Sequence, residues 1–113
     1  MDDCLFCKIV RGEIPTKLVA ENEHAIAFDD IQPLAPVHTL VIPREHVSSL
    51  RDSTQAESTL LAGCLHLARQ VAEMTDIAAS GYRVITNVGE DAGQTVFHLH
   101  FHVVGGQRLG SGF

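Results

Sequence analysis

Residues 98 to 104 read His98-Leu99-His100-Phe101-His102-Val103-Val104, a strict alternation of histidine and apolar side chains. Alternation with period two is the pattern of a β-strand, whose successive side chains point to opposite faces. Leu99, Phe101 and Val103 therefore share one face, and His98, His100 and His102 share the other. The surrounding stretch, Val96 to Val104, is rich in β-branched and aromatic residues and is expected to form a strand throughout. Same-face neighbours on a strand lie roughly 6.5–7 Å apart, so three imidazoles in a row can surround one phosphate-sized group. The chain has seven histidines. Placing three of them in five residues is more than a solvated strand face requires. Crowded imidazoles resist protonating together, so at least one should stay neutral near pH 7, the form able to act as a nucleophile. The competing reading is an all-histidine metal centre. Three consecutive same-face residues on a straight strand lie nearly in a line, and tetrahedral coordination by all three would need a bend or a bulge.

Working outward, Gly81 to Asn87 reads as a strand and Gly89-Glu90-Asp91-Ala92-Gly93 as a loop. Ser53 to Thr75 is the one long helix. Thr54 with Glu57 fits a capping box, and Leu60, Leu61, Cys64, Ala68, Val71 and Ala72 recur at helical spacing. Val37 to Ile42 is a strand closed by Pro43, and the two prolines of Gln32-Pro33-Leu34-Ala35-Pro36 make that segment a loop. Leu18 to Ala20 and Ala25 to Phe28 are short strands around a polar turn. Phe6 to Val10 is a short helical turn, ended near Gly12 and Pro15. Short connections favour an antiparallel sheet. The expected architecture is α+β: about five antiparallel strands with one long and one short helix, the helices on one face.

The 113-residue length suits a single domain, 1–113, with a Gly-rich tail from 105 to 113. A net charge of -6 at pH 7 argues against non-specific nucleic-acid binding and against an acidic membrane surface. It leaves room for a small anionic ligand held by local donors. No apolar run approaches the roughly 20 residues that span a bilayer, and the acidic start Met1-Asp2-Asp3-Cys4 lacks signal-peptide features. A cytoplasmic location is expected. The three cysteines are an odd number, which argues against a disulfide framework. Cys64 falls in the helical apolar stripe and reads as packing. Cys4 and Cys7 form a C-x-x-C pair, which has metal-ligand spacing but is a weak signal alone. His24, in a turn, and His66, on the polar side of the helix, read as solvated.

The His-Leu-His-Phe-His-Val-Val segment resembles the signature of the histidine-triad family. The likeness extends over almost the whole chain and points to the Hint branch. Its motifs are Phe6 with Lys8-Ile9, Glu13-Ile14-Pro15, Ala27-Phe28 with Asp30-Ile31, Ala35-Pro36 with His38, and Val41-Ile42-Pro43. Gly81-Tyr82-Arg83, Gly93-Gln94 and Gly105-Gly106 complete the set.

The resemblance implies a purine nucleoside phosphoramidase, a hydrolase that works through a covalent nucleotidyl-histidine. His100 would be the nucleophile, assisted by His102, His98 and His38. Asn87, Gln94 and Thr95 match positions that supply donors to the phosphate. Thr95 stands where many Hint proteins have serine and keeps the hydroxyl. Asp30 matches the carboxylate that accepts the ribose hydroxyls, and Phe6, Ile9, Phe28, Ile31 and Leu40 match the purine pocket. Asp29, its neighbour, falls on the opposite strand face. Zinc-bearing relatives in the same superfamily imply a structural zinc on Cys4, Cys7, His46 and His98, with no catalytic metal. The resemblance also implies a homodimer that joins sheet edges. The alternatives are a dinucleoside polyphosphate hydrolase, as in the Fhit branch, or a nucleotide-binding regulatory protein whose catalysis is incidental.

Overall fold

The computed structural model describes residues 3–112. Met1, Asp2 and the final residue of the expected tail, Phe113, lie outside the described residues. Five strands form one sheet: β1 (Leu18–Glu21), β2 (Ala25–Asp29), β3 (Val37–Pro43), β4 (Tyr82–Ile85) and β5 (Phe101–Gly105). Their spatial order is β1-β2-β3-β5-β4, and every pairing is antiparallel. Helix α1 covers Leu5–Val10 and helix α2 covers Ser58–Met74. Among the described residues no helix is long and apolar enough to cross a membrane.

The two helices do not share a face as expected. β2 and β3 are buried on both sides, so each side of the sheet needs a cover. On one side α2 packs Leu60, Cys64, Leu67, Ala68 and Val71 against Ala25, Ala27, Val41, Leu99, Phe101 and Val103. On the other, Phe6 of α1 joins Ile26, Phe28, Leu40 and Ile42, with Ile9 and Val10 alongside. The period-two alternation along β2 and β3 thus sorts two different cores.

Small residues bring α2 close. A methyl group at Gly63 would lie 2.6 Å from Cβ of His24, and the carbonyl of Gly63 accepts from Asn22 Nδ2 at 3.0 Å. His24 is therefore half-buried against the helix, whereas His66 is exposed. Cys64 is fully buried, and burial pushes its thiol up to about 12, which makes it a packing residue.

Several boundaries differ from the sequence reading. The long helix begins at Ser58, because the Thr54–Glu57 capping box closes a 3-10 turn first (Thr54 N to Glu57 Oε1 2.8 Å, Ala56 N to Thr54 Oγ1 3.1 Å). It ends in a Schellman motif: Asp76 has φ 63, Ile77 N donates to Ala72 O and Asp76 N to Glu73 O.

The last strand starts at Phe101, not at Val96. Phe101 pairs with Val41, so Leu99 would fall opposite Pro43. Proline has no N–H to offer, and the ladder stops. Leu99 N turns instead to Val47 O at 2.6 Å. Finally, β4 is shorter than expected, and Gly105 closes β5 rather than opening the tail.

Candidate functional site

His98, His100 and His102 line one side of their segment although only His102 lies within β5. Leu99, Phe101 and Val103 point into the α2 core. The three imidazoles instead meet α1 and β3. Phe6 stands edge-on to His98 and to His100, at 5.8 and 5.2 Å between ring centroids. His100 lies 5.2 Å from His102, and His102 lies 5.1 Å from His38 on β3. His38 pairs with Val104 across β3 and β5, two residues along from the Leu40↔His102 pair.

Backbone groups fix where the ring protons sit. His100 Nδ1 lies 2.8 Å from His98 O. A carbonyl only accepts, so Nδ1 carries the proton and Nε2 of the neutral ring keeps its lone pair. Leu34 N donates to His38 Nδ1 at 3.0 Å. His38 therefore carries its proton on Nε2, 2.8 Å from His102 Nδ1 and 3.4 Å from Asp30 Oδ2. His102 accepts at Nδ1 and presents an N–H at Nε2. Burial pushes His102 down to about 4, helped by the neighbouring His100 and His38, while Asp30 acts the other way. It is neutral near pH 7.

Two clusters of metal-ligand type are present among the described residues. The first is Cys4, Cys7, His46 and His98, with donor atoms all within 4.8 Å of one another. His98 Nε2 donates to Pro43 O at 3.0 Å, which leaves its Nδ1 lone pair directed at Cys4 Sγ (3.4 Å) and Cys7 Sγ (3.5 Å). His46 Nδ1 lies 3.3 Å from Cys7 Sγ. A tetrahedral zinc with ordinary Zn–S and Zn–N bonds would separate sulfur from nitrogen by about 3.5 Å, so this donor set fits the ion. The Cys7 N–H points at Cys4 Sγ at 3.4 Å, as suits a thiolate. With no cation, burial and the adjacent Cys4 push the Cys7 thiol up; a bound divalent ion would reverse that preference.

The second cluster is Asp30, His38 and His102. Here the Leu34 N–H occupies the Nδ1 lone pair of His38, and the remaining ring nitrogen is a donor. The arrangement holds a proton chain and does not offer a ligand set.

The expected nucleoside residues are partly assembled. Phe6, Phe28 and Leu40 share one cluster, with Ile9 packed on it. Ile31 stands 93% exposed beyond β2, outside that cluster. Asp30 Oδ1 accepts from Gln32 N at 2.9 Å. Asp29 is exposed and accepts from Thr39 Oγ1 at 3.1 Å.

Of the expected phosphate donors, Thr95 is exposed and Asn87 half-buried. Gln94 differs: its side-chain oxygen accepts from Gly89 N, and its nitrogen donates to Ser48 O and Val96 O. The sequence carried no sign of Leu34, Pro43, Val47 or Ser48 as partners of the site, because they act through main-chain atoms.

Burial of neutral His102 ties stability to pH. The unfolded chain binds a proton near pH 6.5, and the folded His102 only near 4. Its contribution is thus complete above about pH 6.5 and is lost as pH falls towards 4. Melting temperature measured from pH 7 to pH 4 should decline less steeply for His102→Gln than for the parent protein. Parallel curves would show that His102 is not held neutral by the fold.

The HIT domain family matches residues 11–109. The chain is 38% identical to a purine nucleoside phosphoramidase of Escherichia coli K12, over 96% of this chain and 92% of that one. It is 49% identical to a HIT-like protein of Azospirillum brasilense, over 94% and 88% of the two chains. A HIT family hydrolase from Clostridium thermocellum superposes with a TM-score of 0.95 at 45% identity, covering 99% of this chain and 97% of that one. With the triad's geometry in place and near-complete coverage on both sides, the chain belongs to the HIT family.

Proposed function

We propose that this chain hydrolyses purine nucleoside 5′-phosphoramidates, or related adenylates, through a covalent nucleotidyl-His100. The observation that carries the reading is the His98 carbonyl on His100 Nδ1, at 2.8 Å. It aims the nucleophilic lone pair through Nε2 and disperses the positive charge that the ring gains on attack. The first step forms a bond from His100 Nε2 to the α-phosphorus and breaks the bond from phosphorus to the leaving nitrogen, which departs as an amine after taking up a proton. Water then cleaves the phosphorus–histidine bond and releases the nucleoside monophosphate. Splitting one difficult displacement into two easier ones is the gain of covalent catalysis.

The remaining residues serve that sequence. His102, neutral and oriented by His38, offers its Nε2–H to the phosphoryl oxygens. Thr95 and Asn87 add donors. Asp30 keeps lone pairs for the ribose hydroxyls, and Phe6, Ile9, Phe28 and Leu40 border the base, with Ile31 as its solvent-side edge. His100→Ala should reduce turnover of a fluorogenic adenosine 5′-phosphoramidate by more than about a thousandfold while AMP binding persists. Near-normal turnover would sink the mechanism. Turnover by the parent protein of dinucleoside polyphosphates alone would favour the alternative hydrolase, and binding without any turnover the regulatory reading.

Zinc on Cys4, Cys7, His46 and His98 has a structural part in this reading. Four protein ligands close the coordination sphere, so the ion would supply stability and hold His98 beside the nucleophile, not act on phosphate. Metal analysis should find about one zinc per chain. Cys4→Ser with Cys7→Ser should lose the metal and melt at a lower temperature, yet retain measurable turnover. A folded double mutant without any activity would give the metal a catalytic part instead.

Assembly as a two-fold dimer is supported by β4. Among the described residues it pairs with β5 on one side and with no strand on the other, and Tyr82 and Val84 are exposed on it. Light scattering at micromolar concentration should give the mass of two chains; a monomer refutes the dimer.

A further inference from the structure

Gln94 is 6% exposed, and its amide oxygen and amide nitrogen both find their partners inside the protein. Its Oε1 accepts from Gly89 N at 2.8 Å, and its Nε2 donates to Ser48 O at 2.8 Å and to Val96 O at 3.2 Å. The main chain repeats the link, since Gln94 N donates to Gly89 O at 3.1 Å. Gly89 to Gln94 is thereby closed into a loop at both ends. Gly89 and Gly93 both have positive φ, 79° and 80°, a conformation that glycine adopts at low cost. Thr95 is the first residue beyond the closure.

We propose that Gln94 is a positioning residue that fixes Thr95 and its backbone against the phosphate site, and does not itself bind the phosphate. A side-chain amide has two N–H donors and one oxygen. Both N–H groups already face carbonyls of half-buried residues, so neither can turn to an anion without giving up that partner. The far end of the brace matters as much. Ser48 follows Val47, whose carbonyl holds Leu99 N at 2.6 Å, between two histidines of the triad. Ser48 also lies two residues after His46, and its hydroxyl meets His46 Nε2 at 3.4 Å. The segment 46–48 is thus pinned to the triad by Leu99 and to the Thr95 loop by Gln94. Through it Gln94 sets the position of the loop relative to His100.

The inference rests on the proposed reading of Thr95 as a phosphate donor, and a cycle of four proteins separates the two. Calorimetry would measure AMP and adenosine binding to the parent protein, Gln94→Ala, Thr95→Ala and the double mutant. Gln94→Ala should weaken AMP binding about tenfold, as loss of one charge-assisted hydrogen bond would, and leave adenosine binding within about twofold. The double mutant should bind AMP no worse than the weaker single mutant, within about threefold, because both changes remove one contact. Multiplied losses overturn the proposal, since Gln94 would then act on the phosphate independently of Thr95. Equal weakening of AMP and adenosine also overturns it, by showing a merely structural role.

Gln94→Glu keeps the side-chain volume and replaces the donor by an acceptor facing two carbonyls. It should match Gln94→Ala, and covers the case in which the alanine variant fails to fold. Hydrogen exchange decides the brace without any ligand: amides from Gly89 to Val96 should exchange faster in either Gln94 variant, and unchanged exchange overturns it. Should the parent protein bind AMP without hydrolysing phosphoramidates, the hydrolase reading fails while this cycle still stands.

Discussion

Three imidazoles of the site, those of His98, His100 and His38, each have one ring nitrogen claimed by a backbone group. Pro43 O takes Nε2 of His98, His98 O takes Nδ1 of His100, and Leu34 N–H takes Nδ1 of His38. Each contact decides which remaining nitrogen is a lone pair and which a donor. His98 is left with a lone pair for the cysteine cluster. His100 is left with one for an electrophile. His38 is left with a proton to give, and passes the choice on to His102. Chemically identical side chains in a row thus present different ring nitrogens, set by main-chain groups at His98 and His100 and through His38 at His102. Burial keeps His98 and His102 neutral near pH 7: both are pushed down to about 4, with desolvation the largest cause in each.

Those backbone atoms are available because the sheet ends where it does. Proline at position 43 stops the ladder between β3 and β5, freeing its own carbonyl for a side chain and sending Leu99 N to Val47. The stretch from 98 to 100 stays extended enough to alternate its side chains, but its hydrogen bonds are directed into loops. A fully paired strand would have consumed the His98 carbonyl in the ladder. Both faces of the sheet have to be covered at the same time. Helix α2 takes the side of Leu99, Phe101 and Val103, and α1 places Phe6 against His98 and His100. The short N-terminal helix is thus a wall of the site as well as the carrier of Cys7.

The cysteine–histidine cluster and the triad are joined physically by His98, which belongs to both. Cys4 caps α1 by accepting from Cys7 N. The group that holds α1 in place is therefore the group that would hold a metal. Gln94 adds a second connection, from the loop before the triad to the segment that carries His46. The site is a set of loops and strand ends braced by shared hydrogen bonds. The long helix supplies core and none of the named site residues.

Much of this was legible in the residues. Alternation from 98 to 104 separates the histidine face from the core face regardless of whether the segment is ladder-paired, because side-chain direction follows from the extended backbone. Helical spacing from 60 to 72 identifies the buried stripe of α2, and the prolines at 33 and 36 exclude regular structure between β2 and β3. The C-x-x-C pair and the resemblance name the four residues, Cys4, Cys7, His46 and His98, whose donor atoms the fold brings together. Tertiary structure decided what depends on groups that every residue possesses. A carbonyl or an N–H leaves no mark in a sequence, so Leu34, Pro43, Val47 and Ser48 gave no signal, and ring tautomers followed only once those atoms were placed. The same limit explains Gln94: its residue type says it has donors, and only the fold shows that they are already occupied. It explains the helices too, since burial on both faces of β2 and β3 requires a cover on each side, and periodicity along a single strand does not say which segment will supply it.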